Sequence, residues 1–147
     1  MNQPFYDYTI LDEYKRYDFI SIGEHIIKKT ILFYKTQHVE IYSLTLADVT
    51  EDNKLDIYTV SDNGDMKKIL ATVLSAITTF LENYPNSKVV FSGSTPARTR
   101  LYQISITHEL LNFESRFYIE GYTKESGFVL FTKNKTYQGF AISNRNS

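Results

Sequence analysis

Residues 61–84 read SDNGDMKKILATVLSAITTFLENY. Met66, Ile69, Leu70, Val73, Ile77, Phe80, Leu81 and Tyr84 recur there at spacings of three and four, while Lys67, Lys68, Thr72, Ser75, Thr79 and Glu82 take the other side. This periodicity predicts an amphipathic helix. Asp62, Asn63 and Asp65 supply capping side chains and place negative charge at the positive end of its dipole. Asn83 and Pro85 mark its end. The four residues KVVF at 88–91 then read as a short buried strand. A second helix follows, with Thr95 as N-cap and Pro96 in the first helical position, running to about Asn112.

Outward from this helix–strand–helix centre the chain reads as β-structure. Four strands are expected before it, at 17–22, 29–35, 39–46 and 55–60, and three after it, at 116–122, 127–132 and 137–143. In the third, the apolar phase shifts from Val39 and Ile41 to Tyr42, Leu44 and Leu46, as a bulge or a strand buried on both faces would require. The connections between the early strands are too short for crossovers, so antiparallel hairpins are expected. The order ββββ-α-β-α-βββ is that of an α+β domain, a largely antiparallel sheet of about 7–8 strands with two helices packed on it. The 147 residues fit one domain, with 143–147 as a frayed tail.

Composition narrows the function. Twelve Tyr and ten Phe stand beside no Trp and no Cys, which excludes disulfides, a thiol nucleophile and Cys-ligated metal. The phenylalanines Phe19, Phe33, Phe80, Phe91, Phe117, Phe131 and Phe140 fall at strand or apolar-helix positions and are assigned to the core. The absence of a long apolar run and of a leader-like amino end points to a cytoplasmic protein off the membrane. Net charge is −1; residues 1–60 carry 6 Lys/Arg against 10 Asp/Glu, and residues 61–147 carry 10 against 7. Neither half has the dense basic patch of a duplex-DNA binder.

The segment FSGSTPARTRLY at 91–102 is the most informative for chemistry. Arg98 and Arg100 sit in the first turns of the second helix, where cations are unfavourable by about 0.3–1 kcal/mol beside the dipole's positive end. Something negative is expected to compensate. One reading is an anion site built from Ser94, Thr95, Arg98 and Arg100, with Tyr102 beside it. The other is pairing with the protein's own carboxylates, for which the loop bearing Asp62, Asn63, Asp65 and Lys68 is the candidate, since both helix N-termini fall at one end of the expected topology. Along the second helix Leu101, Ile104, His108 and Leu111 form one stripe and Arg98, Tyr102, Ser105 and Glu109 another; His108 is read as a hydrogen-bonded core residue. SDNGD lacks calcium-loop ligand spacing, GSTPAR lacks P-loop spacing, and no metal or cofactor site is expected.

The motifs SDNGDMKKILATV at 61–73 and GSTPARTRLY at 93–102, with Phe19-Ile20-Ser21-Ile22-Gly23, Lys29, Tyr137 and Phe140, resemble a family of small bacterial proteins, mainly from Bacteroidetes, forming a domain of unknown function. The family's third strand often reads NLAFGD where this chain has Ser43-Leu44-Thr45-Leu46-Ala47-Asp48. The resemblance implies one domain in which both motif loops matter, and it carries over no catalytic residues.

Three functions remain open on the sequence. The leading one is a binding module with a small anion or phosphate pocket formed by the 61–68 and 92–102 loops, its partner a small anionic ligand. The second is an enzyme on a phosphate-containing substrate, such as a toxin-like RNase, with Arg98 and Arg100 stabilising charge and Tyr102, His108 or Glu109 moving protons. In the third, a structural or protein-binding role, both loops brace the fold.

Overall fold

A computed structural model describes residues 4–56, 63–113 and 115–145, with two helices and nine strands in the α+β order expected, paired largely antiparallel. The chain divides into two compact units, Met1–Tyr34 with Leu44–Asn83, and Lys35–Ser43 with Tyr84–Ser147.

In the first unit, β1 (Thr9–Leu11), β2 (Arg16–Ile22) and β3 (Ile26–Lys35) form an antiparallel ladder in which Leu11 faces Arg16 and Ile22 faces Ile26. The C-terminal part of β4 (Ile41–Val49) pairs with β5 (Leu55–Asp56); the rest of the strand expected at 55–60 lies outside the described residues. Within β4 the buried residues are Tyr42 and Leu44, then Ala47, so the expected change of phase occurs after Leu44 rather than after Ile41. Val39 lies before the strand and is 88% exposed.

Helix α1 (Met66–Asn83) buries the predicted apolar face, including Ile69, Val73, Ile77, Phe80 and Leu81. Burial of each such side chain contributes about 1.5–3 kcal/mol. The Phe80 ring stacks on Phe33 with centroids 4.2 Å apart and an interplanar angle of 2°. On the polar side of α1 Lys67 and Glu82 are exposed, but its hydroxyl-bearing middle is not left to solvent. Thr72 is fully buried, its Oγ1 accepting from the Tyr6 N–H at 2.9 Å and donating to the Lys68 carbonyl at 2.7 Å. The Tyr8 hydroxyl reaches Ser75 Oγ at 2.8 Å. The amino-terminal segment thus covers the Thr72–Ser75–Thr79 stripe, and its hydroxyls are satisfied.

In the second unit the start of β4 runs parallel to β6 (Lys88–Phe91), with Ile41 facing Lys88. From β6 the pairing is antiparallel throughout, β6 to β9 (Gly139–Asn144), β9 to β7 (Phe117–Thr123) and β7 to β8 (Gly127–Leu130). The tail expected to fray from 143 is tied down as far as 145. Ser143 and Asn144 belong to β9, Asn144 Nδ2 donates to the Pro85 carbonyl at 3.0 Å, and the Arg145 N–H donates to the Arg116 carbonyl.

Helix α2 (Pro96–Phe113) starts as predicted, with Thr95 Oγ1 accepting from the Arg98 N–H at 3.2 Å and Pro96 leading the helix. Its orientation differs from the stripe expected to face the core. Thr99, Tyr102 and Ile106 are buried, whereas Leu101, Ile104 and His108 are exposed, Ile104 by 48%. Tyr102 packs edge-on against Phe91 with centroids 5.2 Å apart, and an aromatic contact of this kind outweighs the aliphatic stripe. The buried phenylalanines are those expected except Phe131, which lies past the end of β8 and is half-buried.

Candidate functional site

The exposed face of α2 lines a cleft of about 1040 Å³ in the second unit. One wall is the strand-to-helix turn at 93–97 followed by Arg100, Gln103, Ile104, Thr107 and His108; the other is the segment 133–138. Among the described residues, the lining holds Arg100, Lys133, Lys135 and His108, and no Asp or Glu.

Each wall is fixed by a close backbone approach. At Gly93 a Cβ would run into the backbone of Arg98 and Thr99, so only glycine lets β6 turn tightly into α2. The Thr99 hydroxyl holds the turn, accepting from the Gly93 N–H at 3.0 Å and donating to the Thr95 carbonyl at 3.2 Å. At Gly121 a Cβ would overlap the ring of Tyr137, which lies over that glycine. The Tyr137 hydroxyl in turn accepts from the Thr132 N–H at 2.9 Å. Segment 132–137 is therefore pinned at both ends of its turn, where Asn134 adopts a left-handed φ of 68°. Gln103 Nε2 donates to the Lys135 carbonyl and ties this segment to α2.

Of the residues singled out in the sequence, Ser94, Thr95 and Arg100 line the cleft and are exposed. Arg98 and Tyr102 do not line it. Tyr102 is 5% exposed, and burial pushes its hydroxyl up to about 12, with Arg98 pulling weakly the other way. It is a core residue. His108, read from the sequence as a core histidine, is exposed and lines the cleft, because α2 turns its Tyr102 face inward. Within the second unit neither Arg98 nor Arg100 forms an ion pair with a described carboxylate.

The other loop belongs to the first unit and has partners there. Asp62 lies outside the described residues. Asn63 is buried, with Oδ1 accepting from the His25 N–H at 2.7 Å and Nδ2 donating to the His25 carbonyl and to Ser21 Oγ. Its carbonyl occupies the space a Cβ at Gly23 would need. Asp65 Oδ2 accepts from the Tyr6 and Ser21 hydroxyls, each at 2.5 Å. Burial, with Asp65 as acceptor, holds the Tyr6 hydroxyl above its ordinary value. Lys68 Nζ sits 4.4 Å from the centroid of the Tyr6 ring, a cation–π contact. The Ser21-Ile22-Gly23 and Asn63-Gly64-Asp65 motifs thus lock to one another. Six residues after Gly23, Lys29 is 4% exposed and its Nζ meets Asp48 Oδ1 at 2.5 Å.

Sequence reasoning missed Lys133, Lys135, Gln103 and Thr107. The lysines lie between the strands expected at 127–132 and 137–143 and reach the cleft because Tyr137 folds over Gly121. No group of three described His, Asp or Glu residues is arranged to hold a metal ion, and no described helix is long and apolar enough to cross a membrane. Residues 2–145 match the model of one protein family, described as a family of unknown function. No curated protein and no solved structure matches the chain.

Proposed function

The chain belongs to this family, DUF6934, and we propose that it is a binding module whose ligand carries a phosphate or similar anion, held in the cleft beside α2. The observation that carries this reading is the lining, three basic side chains at Arg100, Lys133 and Lys135 with no carboxylate among the described residues around them. Ser94 and Thr95 add hydroxyls at the helix N-terminus, where the dipole favours negative charge. Arg100 is the direct anion ligand in this reading. Arg98 and Tyr102 support the turn and the core, and Asn63, Asp65 and Lys68 brace the first unit.

Calorimetric titration with inorganic phosphate at low ionic strength tests it. Wild type binds saturably, and Arg100→Met weakens binding about tenfold or more without loss of fold, because Arg100 is exposed. A wild type that does not bind, or an Arg100→Met variant that binds equally well, contradicts it.

An enzymatic reading has one observation in its favour, the presence of His108 in the cleft. It is the weaker reading, since Tyr102 and Glu109, the other groups considered for proton transfer, are not among the lining residues. Phosphodiester cleavage by wild type that is lost in His108→Ala would favour it over simple binding.

A further inference from the structure

We infer that the ligand of this cleft is an elongated molecule with two anionic groups, one bound at Arg100 and the α2 N-terminus and the second near His108. The inference rests on the anion-site reading above and specifies its ligand. The volume of about 1040 Å³ is at the upper end of sites for whole organic ligands and far exceeds the needs of one inorganic anion. The cleft is also directional. Arg100, Gln103, Ile104, Thr107 and His108 follow one another at i, i+3, i+4, i+7 and i+8, a single stripe along α2. At 1.5 Å rise per residue, Arg100 and His108 stand about 12 Å apart along the axis.

Between these ends the floor is Ile104, an exposed aliphatic side chain suited to a short carbon chain, while Lys133 and Lys135 lie on the facing wall. Gln103 is committed to the Lys135 carbonyl and so orders the wall rather than the ligand. His108 and Thr107 mark the far end with an imidazole, which offers an N–H donor in either protonation state, and a hydroxyl. The Thr107 hydroxyl also meets the Gln103 carbonyl at 2.9 Å, leaving the imidazole as the principal group for the second anion. Among the described lining residues Tyr137 is the one Phe, Tyr or Trp, and it is buried at 3% exposure with its ring over Gly121. It presents no face for a nucleobase, so in this inference the anionic ends carry the recognition.

The test uses the full chain and four probes, inorganic phosphate, a monoalkyl phosphate, ethylene glycol bisphosphate and hexanediol bisphosphate, titrated calorimetrically. Hexanediol bisphosphate should bind about tenfold or more tightly than the other three, since only it spans both ends. His108→Ala should bring it down to the level of the monoalkyl phosphate, a larger loss than the same variant causes for inorganic phosphate. His108→Gln, which restores an N–H donor, should recover part of the loss. Arg100→Met should weaken all four probes. Equal binding of the long bisphosphate and inorganic phosphate, or insensitivity of the long bisphosphate to His108→Ala, overturns the two-ended ligand while leaving the anion site standing. If none of the probes binds, both readings fail.

Discussion

The ring of Tyr137 occupies the space in which a side chain at Gly121 would lie, so a glycine in the middle of β7 determines where the cationic wall of the cleft stands. Through its hydroxyl, Tyr137 also receives the Thr132 N–H, and the turn carrying Lys133 and Lys135 hangs between these two attachments.

Gly121→Ala is therefore expected to destabilise the protein by about 1–3 kcal/mol, the range for overpacking a filled site. It should also weaken phosphate binding by moving Lys133 and Lys135. Tyr137→Phe keeps the ring and leaves the Thr132 N–H without its acceptor; it should cost about 1 kcal/mol and leave phosphate affinity closer to wild type. Thermal unfolding paired with phosphate titration checks both, and the order of the two effects on binding is the discriminating result.

A second expectation concerns Lys29 and Asp48, which meet at 2.5 Å with side chains 5% and 14% exposed. Lys29→Met alone removes the ammonium group from a largely buried carboxylate and should cost about 3–5 kcal/mol. Replacing both, as Lys29→Met with Asp48→Leu, removes the desolvated charges together and should recover most of that loss. Denaturant unfolding of the two single variants and the double variant measures the coupling; additive losses would show that the pair is not the relevant unit.

Much of this architecture was readable in the sequence because it is local. The periodicity of α1, the Thr95-Pro96 start of α2 and the KVVF strand each lie within a few residues of their cause. What escaped depends on distant partners. β1 is three exposed residues with no apolar alternation to announce it, and it exists by pairing with β2. Apolar residues occur on both sides of α2, at Leu101 and Ile104 as well as at Tyr102 and Ile106, so spacing alone did not choose its inward face. Contact between Tyr102 and Phe91 chose it, and that choice carried His108 to the cleft. At the candidate site, Ser94, Thr95 and Arg100 were legible because they lie within seven consecutive residues, whereas Lys133 and Lys135 come from a segment more than thirty residues away.

Alkaline pH gives a third expectation. Tyr102 ionises near 10 when unfolded and at about 12 when folded, because burial disfavours the phenolate. Below pH 10 both states are neutral and the group has no effect on stability. Between pH 10 and 12 the unfolded chain loses this proton and the folded protein keeps it, so stability falls as pH rises, by up to about 3 kcal/mol. Tyr102→Phe should retain the packing against Phe91 and show a smaller loss over that interval. Equal alkaline losses in wild type and variant would place the effect elsewhere.

The Asp65 carboxylate gives a fourth. It accepts two hydroxyls through one oxygen, and Asp65→Ala takes the acceptor from the Ser21 hydroxyl and leaves the Tyr6 hydroxyl only the Ile22 carbonyl, 3.1 Å away. A loss of about 1–3 kcal/mol is expected, with phosphate affinity unchanged because Asp65 belongs to the first unit and the described lining of the proposed cleft to the second. Unfolding and phosphate titration of this one variant separate the two roles; a change in phosphate affinity would argue for a ligand role at Asp65.

The most direct test of the anion-binding cleft is a backbone amide NMR titration of the nitrogen-labelled protein with inorganic phosphate. Saturable shifts should concentrate at residues 93–100 and 133–138, and Arg100→Met should suppress both groups together. Shifts that fail to saturate, or that saturate in residues away from these two segments, would contradict the account.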